Sequence, residues 1–235
     1  EREKPFDLIH TKLKVDFNFS NQTMNGEAWI TLTPHFYETN IVVLDAKAMI
    51  INSVALNNKP LSFEYNNKLK LEIKLPKVYK RGEELTLYID YVAQPEKVYQ
   101  KGSTAITSAK GLYFINADGK DKNKPTQIWT QGETEASSCW FPTIDAPNQK
   151  TSQEIYITVP KKYVTLSNGE LISQETKGGI RTDYWKLDQM HAPYLFFMGI
   201  GEYEIIKDQY KDIPVHYYVE KEYAPYARDI FGNTP

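Results

Sequence analysis

The sequence predicts an all-β domain over residues 1–220, followed by a helical segment over 221–235. Three observations carry this. Apolar and polar residues alternate with period two through most of the chain, as in strands with one face on a core and one in water. The alternating stretches are short and separated by turn clusters, among them Asn66-Asn67 and Lys80-Arg81-Gly82-Glu83. Tyrosine is abundant, 17 of 235 residues, and its amphipathic ring suits half-buried strand faces.

In order, "TKLKVDFNF" (11–19) sets Leu13, Val15, Phe17 and Phe19 on one face and Lys12, Lys14, Asp16 and Asn18 on the other. "NQTMNG" (21–26) reads as a turn and "EAWITLT" (27–33) as the return strand. Strands follow at 41–44, 50–56, 61–65, 69–75 and 85–92, with Asn66-Asn67 as a tight hairpin between the third and fourth of these. Residues 93–111 and 116–125 are rich in Gly, Ser, Lys and Asp and read as surface loops around a strand at 112–115. Further strands are expected at 154–159, 182–187, 194–199, 202–206 and 215–219. At the end the period changes: Tyr223, Tyr226, Ala227, Ile230 and Phe231 form an apolar helical stripe, with Gly232 suited to the C-cap. Thr234-Pro235 then reads as a new helix start, so more helical chain is expected beyond it.

Composition narrows the function. Net charge is −2, from 28 Lys and Arg against 30 Asp and Glu, with no block of like charges. Nucleic acid is not expected as a partner, because phosphate binding needs a concentrated basic face. The longest apolar run, "YLFFMGIG" (194–201), is too short to span a bilayer, and the first ten residues carry no signal-peptide pattern. The single cysteine, Cys139, has no basic neighbour in sequence and reads as a small buried hydrophobe. Of the four histidines, His10, His35, His191 and His216, no two stand at metal-ligand spacing. No nucleophile elbow or phosphate loop is present.

One stretch breaks the alternation: "TQGETEASSCWFPTIDAPNQK", residues 130–150. Glu133 and Glu135 stand two apart, and two such acids are usually a solvated face. Gly132 is expected to leave the backbone free for close approach of a ligand. Trp129, Trp140, Tyr113 and Trp185 leave open a second class of function, a non-catalytic β-sandwich module that stacks glycans or binds protein, although alternating aromatics are usually core.

Residues 130–150 resemble the N-terminal domain of the aminopeptidase N family of zinc metallopeptidases, which includes the leukotriene hydrolases. Thr130, Gln131 and Glu133 match its T-Q-x-E run, and Phe141, Pro142, Asp145, Pro147 and Lys150 match the F-P-C-x-D-E-P and Lys that follow. "EIYITVP" with "TLSNGEL", "MHAPYLFFMGIGEYEII" and the opening "LIHTKLKVDFNFSNQTMNGEAWI" resemble further family blocks in the same order. The chain departs from the pattern at "TEASSC", Thr143 and Ala146, changes expected to fall on packing and turn contacts.

The resemblance implies a large, saddle-shaped, mostly antiparallel β-domain whose 130–150 segment reaches over a catalytic cleft. It implies that Glu133 holds the substrate's free α-amine and that Gln131 lines the pocket for the first side chain. Glu135 is expected to be a surface acid, and Asp145 a structural hydrogen-bond acceptor. Zinc and the catalytic residues are implied in a following helical domain, opening at 221–235, with none in residues 1–235. The partners implied are a peptide N-terminus and the chain's own catalytic domain. The compartment stays open, with a slight preference for a periplasmic or secreted home, since exported bacterial peptidases often lack cysteines.

Overall fold

The computed structural model of the chain describes residues 4–98 and 109–235. The strands are β1 (Phe6–Asn18), β2 (Thr23–Pro34), β3 (Thr39–Asp45), β4 (Met49–Leu56), β5 (Lys59–Pro60), β6 (Phe63–Glu64), β7 (Lys70–Tyr79), β8 (Leu85–Ala93), β9 (Leu112–Ile115), β10 (Gln127–Thr130), β11 (Thr151–Pro160), β12 (Val164–Ser167), β13 (Glu170–Lys177), β14 (Ile180–His191), β15 (Met198–Gly201), β16 (Tyr203–Tyr210) and β17 (Ile213–Glu220). One short helix, α1 (Ala227–Phe231), follows. The all-β expectation, with a short helical segment at the C-terminal end, holds.

The largest sheet has the order β13-β14-β11-β1-β2-β8-β4-β5. All its pairings are antiparallel except β1 with β11. A four-stranded sheet β12-β15-β10-β9, a three-stranded sheet β3-β7-β6 and the hairpin β16-β17 complete the fold. The alternation read from the sequence is the burial pattern: Leu13, Val15, Ala28, Ile30, Leu32, Leu87, Ile89, Ile155 and Ile157 are buried from neighbouring strands. Each large apolar side chain so buried contributes roughly 1.5–3 kcal/mol. The other face of the sheet is wet, and there the tyrosines serve as expected. Tyr156 and Tyr184 stack at 4.3 Å, and the Lys12 ammonium sits over the rings of Trp29 and Tyr156.

Several local expectations are corrected. The turn after β1 occupies residues 19–22, so "NQTMNG" is already strand from Thr23 onward. Asn66-Asn67 is not a tight hairpin: residues 65–69 form a wider loop, in which the Asn67 Oδ1 accepts from the amides of Leu69 and Lys70. Residues 194–199 are not one strand. Pro193 opens a 3-10 turn through Leu195, and β15 begins only at Met198, because Pro193 lacks the amide a strand ladder needs. The 93–111 loop lies in part, at 99–108, outside the described residues.

The helical stripe is shorter than its spacing implies. Ala224–Tyr226 is a 3-10 turn containing Pro225, and the α-helix has five residues. Gly232 follows it, its amide bonding back to the Arg228 carbonyl at 2.8 Å. Ala227 packs with Tyr217 and Val219, while Tyr223, Tyr226, Ile230 and Phe231 stay exposed. No helix among the described residues is long and apolar enough to cross a membrane.

Candidate functional site

The segment after β10 turns away from the sheet because its backbone finds partners elsewhere. The Gln131 amide donates to the Gly111 carbonyl at 2.9 Å, and the Ala136 amide closes onto the Gly132 carbonyl at 2.8 Å. This makes a turn with Glu133, Thr134 and Glu135 on its outer rim, all three exposed; the peptide bond between Glu133 and Thr134 is cis. A 3-10 turn over Ser137–Cys139 then leads inward. From Ala136 to Ala146 every residue is buried.

Gly132 has a different role from the one its sequence context implies. A Cβ there would run into the Tyr194 carbonyl and the Ser137 hydroxyl. The glycine therefore serves close packing of the turn on residues 193–194 and not the approach of a ligand. The Ser137 hydroxyl donates to the Pro193 carbonyl at 2.8 Å, which fixes the same contact.

The other flank is held by the end of β3. The amide of Asp45 donates to the Thr143 carbonyl at 2.6 Å, and the Thr143 amide returns a bond to the Asp45 carbonyl at 3.0 Å. The Asp145 amide donates to the Asp45 carboxylate at 2.9 Å. The Lys47 amide donates to the Ser138 carbonyl at 2.7 Å, and its ammonium donates to the Glu135 carbonyl. None of these partners is visible from the 130–150 motif itself.

Of the residues singled out in the sequence, Gln131 is half-buried at the root of the turn and Glu133 is exposed on its rim. Glu133 makes no hydrogen bond or ion pair among the described residues. Glu135 is exposed as expected, its carbonyl engaged by Lys47. Asp145 is structural: it is buried and accepts the Ser138 amide at 2.9 Å.

Burial pushes the Asp145 carboxyl up to about 6 from the usual 3.8, and Asp45 beside it pushes the same way. The bonds from Ser138 and the Lys47 ammonium work against this rise. The native state therefore holds the proton more tightly than the unfolded chain. The stability this group contributes is present below about pH 4 and is lost as pH rises through about 6, a loss on the order of 2–3 kcal/mol. Asp145→Asn should remove that slope. Urea midpoints of the two proteins at pH 4.5 and 7.5 should show the variant gaining on the wild type at the higher pH; a constant difference would contradict the assignment.

Cys139 is fully buried, and its thiol is pushed up to about 12 by that burial, so it is packing and not a nucleophile. The four aromatics form no common platform: Trp140 and Trp185 are core, while Tyr113 and Trp129 stack on each other at 4.5 Å. Three histidines have structural partners: His10 with Ser152, His35 with Asp7 and His191 with Gln153. Among the described residues no three His, Cys, Asp or Glu side chains converge as a metal-ligand set, so these residues do not fit a zinc ion.

Comparison with known proteins agrees with this architecture. The family model described as "Peptidase M1 N-terminal domain" matches residues 8–195. The M1 zinc metallopeptidase from Deinococcus radiodurans has a similar fold, with a TM-score of 0.76 at 18% identity over 91% of this chain and 46% of that one. Leukotriene A-4 hydrolase of Xenopus laevis is 23% identical over 208 residues, 85% of this chain and 32% of the relative. Transcription initiation factor TFIID subunit 2 of Danio rerio is 22% identical over 261 residues, 92% of this chain and 21% of the relative. The chain thus spans a fifth to a third of these curated relatives and under half of the solved structure.

Proposed function

Because the chain belongs to the M1 peptidase N-terminal domain family, we propose that it is the N-terminal β-domain of a zinc-dependent aminopeptidase. In this reading residues 1–220 cap the active-site cleft, and residues 221–235 lead into the catalytic domain that holds the zinc. Glu133 anchors the α-ammonium of the substrate, and Gln131 lines the pocket for its first side chain.

One observation carries the reading: the Glu133 carboxylate is exposed, and unpartnered among the described residues, on a turn that is otherwise tied down on both flanks. A peptide's amino end differs from its middle by one ammonium group. A carboxylate accepting its N–H bonds gives a directional, charge-assisted contact worth about 1.5–3 kcal/mol. Holding the acid on a rigid turn removes the ordering cost that a mobile acid would bear on binding.

The full-length protein should hydrolyse aminoacyl-p-nitroanilides and lose that activity to a zinc chelator. Residues 1–235 alone should bind no stoichiometric zinc and release no p-nitroaniline; activity in that preparation would overturn the division of labour. A second reading, a non-catalytic interaction module, is favoured by one finding. The transcription-factor subunit aligns over as much of this chain as the hydrolase does. Full-length protein without hydrolytic activity and without affinity for free amino termini would support it.

A further inference from the structure

We propose that Lys47 is the positioning residue for Glu133: it holds the rim of the 132–136 turn in the orientation that presents the acid to the substrate amine. This inference rests on the reading of Glu133 above and adds a second residue to it, from a part of the chain that carries no family motif.

Lys47 is fixed before it reaches the turn. On either side of it, the Ala46 amide donates to the Leu69 carbonyl and the Ala48 amide to the Lys68 carbonyl, both at 2.9 Å. The Tyr65 hydroxyl donates to the Ala46 carbonyl at 2.7 Å and accepts the Met49 amide at 2.9 Å. Ala48 adopts a left-handed backbone, φ 52°, which turns the chain between β3 and β4 and sets Lys47 at the apex. From this base Lys47 makes two bonds to one short segment, its amide to Ser138 and its ammonium to Glu135.

The two bonds differ in what they hold. The Ser138 bond belongs to the buried floor, where Asp45, Thr143 and Asp145 already provide four more. The Glu135 bond is the one that reaches the exposed rim, two residues from Glu133. The opposite flank of the turn is closed by Gly132 and Ser137 against Pro193 and Tyr194. With the ammonium removed, the Glu135 carbonyl keeps, among the described residues, only a long bond from the Ser138 hydroxyl, at 3.4 Å, and the rim loses its charged anchor on this side. The floor keeps its backbone bonds, so the fold survives; the ammonium's attraction for the buried Asp145 carboxylate is lost as well, a small stability cost that Lys47→Arg avoids. The substrate should then meet an acid that must be ordered on binding, a cost that appears in KM.

The test is a double-mutant cycle in the full-length enzyme, assayed with alanine p-nitroanilide. Lys47→Met should raise KM about five- to tenfold with kcat within twofold, and Lys47→Arg, which can still donate to the carbonyl, should restore it. In a Glu133→Gln background, Lys47→Met should change KM by less than about twofold, because it acts through Glu133. Thermal unfolding of Lys47→Met should stay within a few degrees of wild type. If Glu133→Gln weakens catalysis while Lys47→Met leaves KM unaltered, or if the two effects are independent, the positioning role is wrong and the amine site stands. If Glu133→Gln itself is silent, the amine site is wrong and this inference falls with it.

Discussion

Asp183→Ala is expected to cost about 3–5 kcal/mol of stability, a fall in Tm on the order of 10 °C for a domain of this size. Asp183 lies on β14 with no solvent exposure. It accepts the Thr165 hydroxyl from β12 at 2.6 Å, and the Arg181 guanidinium at 2.9 Å through Nε and 2.7 Å through Nη2. Trp185 extends the network, its indole N–H donating to Thr165 at 2.9 Å. β12 and β14 belong to different sheets, so these bonds join the four-stranded sheet to the eight-stranded one. Removing the carboxylate strands a mostly buried guanidinium and leaves the Thr165 hydroxyl without the acceptor for its proton, although it still accepts from Trp185. Asp183→Asn keeps an acceptor for Thr165 and should cost clearly less. Urea midpoints of the three proteins at pH 7 check this; an alanine variant within 1 kcal/mol of wild type would show that the buried pair bears little of the inter-sheet contact.

The parts of the fold that follow one rule were legible in the sequence. β1, β2, β8 and β11 alternate because each buries one face, and their apolar residues are the core. β13 was not legible: all eight of its residues are exposed, so it carries no alternation and exists by pairing with β14. β10 and β12 are four residues each, too short for a period to show. The 130–150 stretch announced itself by breaking the alternation, and the buried role of Asp145 followed from its Pro-bounded turn. What holds the stretch was not readable, because Lys47 and Asp45 stand 88 and 100 residues from their partners. The true constraint on Gly132, the Tyr194 carbonyl, is a tertiary contact of the same kind.

Glu133→Gln is the second large expected effect. The substitution keeps the shape of the side chain and one hydrogen-bond acceptor and removes the charge. The loss should be about 1.5–3 kcal/mol of transition-state binding, roughly ten- to a hundredfold in kcat/KM. Stability should hardly change, since the side chain is exposed and supports nothing in the core. Glu135→Gln, on the same turn, should do little, because the turn uses the Glu135 carbonyl and not its carboxylate. The most direct measurement is kcat/KM of full-length wild type, Glu133→Gln and Glu135→Gln on a peptide with a free α-amine and on its acetylated counterpart. A loss of ten- to a hundredfold confined to Glu133→Gln and to the free amine is the predicted result. Equal rates in all three proteins, or a loss that follows Glu135 instead, would contradict the claim that this turn presents Glu133 to the substrate's amino end.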